Sequence, residues 1–398
     1  MKLTIAALIL IVGLYQSPAT PAEQQLAAAN DGFAFKLLKQ LAQDQPAANL
    51  FISPYSASAV LQMIGNGAAG QTLTEMQHVL GTTNLPSDAV NAANQAIATS
   101  LNHFNTNVIL TTANAIWYRE GAPVKPAFIA CNQQFFHATV GALDFAASRS
   151  VDSINTWASD ETHGRITHLA NGMLNKNTRL FLANAVYFKG KWADPFNLRA
   201  TQDRPFYLRG GGQKMIPLMT QTKFFIYRRG TGYQAVRLPY QGENLAMYIF
   251  LPDTNSTPEK TLSLMNGDTW QRVTKPGFSQ KEGTLMLPKF KLEYSVELNQ
   301  PLQALGMKMA FDPIGADFSG IAPDLFVSAA RQKTFVEVKE EGTEAAAVTG
   351  IAIQTKSIRM PPSNPFQMIV DRPFLFLIED RQTGTILFMG VLFDPQTN

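Results

Sequence analysis

The chain is poor in the residues that most quickly betray a chemistry. Of its 398 residues one is cysteine, five are histidine and 16% are charged. A single cysteine, Cys131, allows no disulfide framework, and it reads as a small buried apolar side chain rather than a reactive thiol. Zinc would need His at i and i+4 or paired cysteines, whereas His163 and His168 are five apart, off one helical face. Thirty-three basic against thirty acidic residues leave a formal net charge of +3, too little for a whole-chain field that seeks nucleic acid. The charged fraction lies below the ~25% of ordinary globular chains, which excludes a disordered or coiled-coil protein. There is no G-x-S-x-G elbow and no P-loop. Gly65-Asn66-Gly67-Ala68-Ala69-Gly70 fits the dinucleotide fingerprint literally, but the residues before it read as helix, so the run is taken as a turn between helices. No catalytic, metal or cofactor site is therefore expected, and the chain does not read as an enzyme.

What is present is a mixed-structure chain with enough length for a large core. Residues 1–22 read as a secretory signal: Lys2, the apolar stretch Leu3 to Tyr15, and small-residue cleavage candidates at Ser17-Pro18-Ala19 or Thr20-Pro21-Ala22. Export, extracellular or periplasmic, is the expectation that follows. No other segment approaches the ~20 apolar residues of a membrane span. Leu26, Phe33, Leu37 and Leu41 predict an opening helix, Ser53-Pro54 a second helix start, and Thr72 to Leu80, Asp88 to Phe104 and Val151 to Ser159 further helices. Phe181 to Phe188 reads as a strand covered on both faces. Phe224 to Tyr227, Tyr233 to Leu238 and Leu245 to Leu251 predict a meander, with later strands at Leu285 to Leu292, Phe335 to Lys339, Phe374 to Ile378 and Ile386 to Leu392. Helices lead and strands follow without a linker, so residues 23–398 are expected to form one α+β domain.

The unusual stretch runs from Glu340 to Ser357. Read with period two, Thr343, Ala345, Ala347, Thr349, Ile351, Ile353 and Thr355 form an uncharged set, while Glu344 and Lys356 fall on the opposite one. That pattern describes a half-buried strand, yet Pro361-Pro362 and Pro365 follow in chain that must be exposed. A segment written as a strand but held out of a sheet stores conformational energy.

The run Glu340-Glu341-Gly342-Thr343-Glu344-Ala345-Ala346-Ala347 resembles the reactive-loop hinge of serpins, serine protease inhibitors that insert this loop into a sheet. Further resemblances follow in family order: Asn49 to Ser56 with Gly67 to Thr72, Asn155 to Ile166, Asn184 to Trp192 with Phe196, Leu287 to Phe290, Leu305 to Met307, Asp317 to Gly320, Asp371 to Phe376 and Thr383 to Gly390. The resemblance implies an α+β serpin fold of three β-sheets and eight or nine helices, with an exposed reactive-centre loop over about 340–362. It implies a monomer whose partner is a serine protease, caught as a covalent acyl-enzyme when the cleaved loop inserts. Roughly fourteen residues at ~3.3 Å each would carry the protease ~45 Å.

Family spacing from Gly342 puts the reactive bond at Lys356–Ser357, with Thr355 as an alternative, and a lysine there suits trypsin-like targets. Glu340 is expected to pair with Lys289 near Trp192, and Ser53, Ser56 and Asn184 to form the polar cluster beneath the opening strands. The histidine usual in that cluster is replaced here by Gln332, which cannot titrate. Residues 40–118 contain no Lys or Arg, which argues against activation by a heparin-type polyanion through a basic helix. Eight basic residues between Arg199 and Arg237 remain, taken as a solvated face. Two alternatives stay open: a non-inhibitory serpin acting as carrier, chaperone or substrate, and an inhibitor of elastase-like, subtilisin-like or cysteine proteases.

Overall fold

The computed structural model describes residues 19–101, 108–343 and 364–396. Helix α1 (Pro21–Asp44) starts where the Thr20 side chain accepts from the Glu23 amide and Pro21 fills a position that needs no amide partner. The candidate cleavage sequence Thr20-Pro21-Ala22 is thus a helix cap and first turn. Leu26, Phe33, Leu37 and Leu41 form the buried face of α1. Helices α2 (Pro54–Gly65), α3 (Gly70–Leu80), α4 (Ser87–Leu101), α5 (Pro126–Phe136) and α6 (Arg149–Glu161) follow, and the described residues contain nine α-helices in all. Residues 66–69 join α2 to α3. A Cβ on Gly67 would lie 2.1 Å from Ile321 Cγ1, so this glycine serves a close backbone approach.

A six-stranded sheet has the order β10 (Phe290–Glu297), β11 (Val327–Lys339), β12 (Gly342–Thr343), β4 (Leu180–Lys191), β2 (Val108–Arg119) and β3 (Thr139–Leu143). Leu182, Val186 and Phe188 of β4 enter the main core on one face of this sheet. Phe181, Ala183 and Ala185 pack on the other face against Ile154 and Ala158 of α6. This double burial explains the near-continuous apolar run.

The remaining strands form a nine-stranded network: β1 (Leu50–Ile52), β15 (Ile386–Leu392), β14 (Phe374–Asp380), β8 (Leu245–Pro252), β7 (Tyr233–Pro239), β6 (Gln213–Gly230), β9 (Ser279–Pro288) and β13 (Phe366–Ile369), with β5 (Gln202–Tyr207) on β6. Among the described residues its two halves meet only where Ile226–Gly230 pairs with Tyr233–Arg237. The expected three sheets are thus one separate sheet and two joined at the end of β6.

The expected single strand over Leu285 to Leu292 is two strands in different sheets. Pro288 has no amide to donate, and the Lys289 N–H turns to the Pro217 carbonyl at 3.0 Å as the chain crosses between them. Strands β2, β3 and β5 and helix α5 carry no corresponding expectation; Thr111, Thr112, Asn114 and Pro205 interrupt the apolar pattern there.

Candidate functional site

Strands β4 and β11 pair in parallel from Leu180–Tyr187 against Val327–Phe335. Above that stretch they part, and β12 stands between them. Gly342 faces Lys339 on one side and Lys191 on the other, and Thr343 faces Val338 and Gly190. Gly342 has φ +152°, and a Cβ there would lie 2.1 Å from the Gly190 carbonyl oxygen. Only glycine enters a gap this narrow.

The parted end is lined by aromatic rings and one ion pair. Trp192 stacks on Tyr240 with centroids 4.6 Å apart, and its Nε1 donates to the Lys339 carbonyl at 3.0 Å. The Trp192 amide donates to Glu341 O at 2.9 Å and the Phe196 amide to Glu340 O at 2.8 Å. The Tyr240 hydroxyl lies 2.8 Å from Thr343 Oγ1, and burial pushes the phenol pKa well up. Lys289 Nζ is 3.0 Å from Glu340 Oε2, and Thr201 Oγ1 donates to Glu340 Oε1 at 2.9 Å. Burial acts to raise the Glu340 carboxyl, but donation from its own amide, Lys289 and Thr201 prevails and holds it below the usual range.

Lower down, where the strands touch, the lining changes to neutral amides and hydroxyls. Ser53 caps α2, and its Oγ donates to Leu387 O at 2.8 Å. Gln332 accepts from the Ser53 amide at 2.8 Å and donates from Nε2 to Ser53 O at 2.8 Å and to Asn184 Oδ1. Asn184 Nδ2 donates to Asn114 Oδ1 at 2.6 Å and to Ser56 Oγ. All five residues are buried. They tie α2, β2, β4 and β11 together without a titratable group. The opposite face of β11 is held from outside by cations: Arg331 donates to Leu169 O, and Lys333 to His168 O while pairing with Glu293 at 2.6 Å.

The structure therefore brings Glu340, Glu341, Gly342, Thr343, Lys289 and Trp192 together at one end of the slot, and Ser53, Ser56, Asn184 and Gln332 beneath it. Hinge residues Glu344, Ala345, Ala346 and Ala347, and the bond candidates Thr355, Lys356 and Ser357, lie outside the described residues, as do residues 1–18 of the expected signal. Asn114, Thr201 and Tyr240 escaped the sequence reading, because their partners are far away in the chain and no local motif marks them. Of the eight basic residues between Arg199 and Arg237, Arg209, Lys214, Lys223 and Arg229 pair with Glu259, Asp394, Asp194 and Asp253. Arg228 donates to the carbonyls of Val273 and Thr274. Half of the eight charges are thus ion-paired in place.

Comparison with known proteins gives this geometry its context. A family model described as serpin (serine protease inhibitor) matches residues 28–395. The chain is 36% identical to human leukocyte elastase inhibitor over 390 residues, covering 94% of this chain and 100% of that protein. It is 36% identical to human serpin B9 over 383 residues, again 94% and 100% of the two chains. The native structure of tengpin, a thermophilic serpin, superposes with a TM-score of 0.85 at 28% identity, over 95% of this chain and 96% of that one. These relatives are inhibitors, not catalytic enzymes. The expectation of a secreted protein is corrected here: leukocyte elastase inhibitor and serpin B9 are clade B serpins, an intracellular group. With the match spanning nearly its whole length and its central sheet parted at the hinge, the chain belongs to the serpin family.

Proposed function

We propose that the protein is a suicide-substrate inhibitor of trypsin-like serine proteases, acting as a monomer. The protease serine attacks the Lys356 carbonyl, the amine of Ser357 leaves, and an ester joins Lys356 to the enzyme. The chain N-terminal to that ester then enters the sheet between β4 and β11 before water reaches the ester. One observation carries the reading: Gly342 and Thr343 already lie in that gap, paired with both strands. In the inserted product the same antiparallel register, continued, sets Ala345 beside Val336 and Phe188, and Ala347 beside Thr334 and Val186. All four of these neighbours are buried. Small side chains at those positions enter without strain, which favours inhibition over simple cleavage.

Similarity to leukocyte elastase inhibitor favours a second reading, in which the target is elastase-like and the cut shifts among Thr355 to Ser357. Incubation with trypsin and, separately, with an elastase decides between them by denaturing gel and mass spectrometry. A denaturation-resistant complex with trypsin and a released peptide beginning at Ser357 is expected. Cleavage by both enzymes without any complex would contradict inhibition.

A further inference from the structure

Tyr240 belongs to no motif and follows the last residue of β7, yet it reaches the entrance of the slot. Gly190 makes room for it: a Cβ there would lie 2.8 Å from Tyr240 Cδ1. The ring is fully buried, stacked on Trp192 and edge-on to Phe188 at 5.0 Å, so its direction is fixed. Its hydroxyl ends 2.8 Å from Thr343 Oγ1, which is also fully buried. Parting these two hydroxyls without water would leave both unsatisfied, so each holds the other in place. The backbone bonds from Trp192 and Phe196 fix Glu341 and Glu340 just upstream, and Tyr240 is the side chain that reaches the first inward-facing hinge residue.

We infer that Tyr240 is a positioning residue for inhibition, seating Thr343 in the parted end of the sheet before any protease arrives. Insertion then starts from a docked end rather than from a free one. Without the hydroxyl the hinge leaves its seat more often. After acylation that docking must first be regained, and hydrolysis of the ester gains ground. The consequence for inhibition rests on the proposed function; the seating itself does not.

The test uses the full chain as wild type, Tyr240→Phe, Thr343→Val and the double variant, with Tyr248→Phe as control. Tyr248 is another buried tyrosine, whose hydroxyl donates to Glu379 at 2.8 Å away from the hinge. Hydrogen exchange of the segment Lys339–Thr343 is read by mass spectrometry, alongside the moles of inhibitor consumed per mole of trypsin. Each single variant is expected to speed exchange about three- to ten-fold, the ratio for one buried neutral hydrogen bond, and the double variant no further. Inhibitor consumption should rise by up to the same factor. Tyr248→Phe should lower the unfolding temperature and move neither readout. Unchanged exchange in both single variants, or additive effects in the double, would overturn the inference. If Tyr240→Phe does not fold, unchanged exchange in Thr343→Val overturns it alone. Failure of wild type to trap trypsin would count against the proposed function, while the exchange result would still decide the seating.

Discussion

At its upper end the slot between β4 and β11 is parted, with Gly342 and Thr343 between the strands and a charged pair, Lys289–Glu340, beside them. Lower down Asn184 and Gln332 sit on directly paired strands, linked by amides that carry no charge. Both ends are buried, but they resist separation differently. The upper end depends on one carboxylate, one glycine and aromatic stacking, each bearing on the loop itself. The lower end depends on hydrogen bonds among α2, β2, β4 and β11, none of which involves the loop. A sheet built this way has its entrance prepared and its interior held shut by neutral groups.

The difference can be broken at several points. The largest effect is expected from Asn184→Leu, which removes three buried hydrogen bonds at once, those to Gln332 Nε2, Ser56 Oγ and Asn114 Oδ1, and sets an apolar side chain among the polar groups that remain. Denaturant unfolding should show a loss of about 3 kcal/mol, and a loss well below about 1 kcal/mol would mean the cluster does not hold the strands. Gly342→Ala comes next. Its Cβ would strike the Gly190 carbonyl, so the hinge should leave the sheet at a cost of about 2 kcal/mol to the docked state. Hydrogen exchange should rise at Lys339–Thr343 and stay unchanged around Asn184.

Gln332→His sharpens the comparison by giving the lower end a titratable group. A buried neutral imidazole has a folded pKa below its unfolded value of about 6.5, so the variant should lose stability relative to wild type as pH falls below about 6.5. The upper end already titrates. The Glu340 carboxyl is held below its usual range, so its contribution is complete above the ordinary carboxylate range and is lost as pH falls through the lowered value. Acid should therefore loosen the hinge before the Asn184 cluster, as exchange at the two places would reveal. Lys289→Ala is expected to be the mildest change, about 1 kcal/mol, because Thr201 and the Glu340 amide still satisfy the carboxylate. Thermal unfolding checks it.

How much of this was legible in the chain follows from range of interaction. The hinge could be read because a strand pattern of period two stood beside prolines that forbid a strand. The double burial of β4 could be read because both faces are apolar over consecutive residues. Gln332 could be picked out by resemblance, but its grip on both the amide and the carbonyl of Ser53 could not, since the two residues lie in distant parts of the chain. Tyr240 and Asn114 were invisible for the same reason. The split at Lys289 was missed because apolar residues continue on both sides of Pro288 while the chain changes sheets. The basic stretch was read as a solvated face, but the pairing of Arg209, Lys214, Lys223 and Arg229 with Glu259, Asp394, Asp194 and Asp253 could not be read, since no local pattern marks those partners.

The central claim is that the loop completes the sheet by entering between β4 and β11. It is tested most directly by melting the protein before and after a single cut in residues 344–357, made by a protease that it does not trap. A new central strand pairs both neighbours along their length, so the account predicts that the cleaved protein unfolds at a much higher temperature than the intact one. An unchanged or lower unfolding temperature, with the cut confirmed by mass spectrometry, would contradict it.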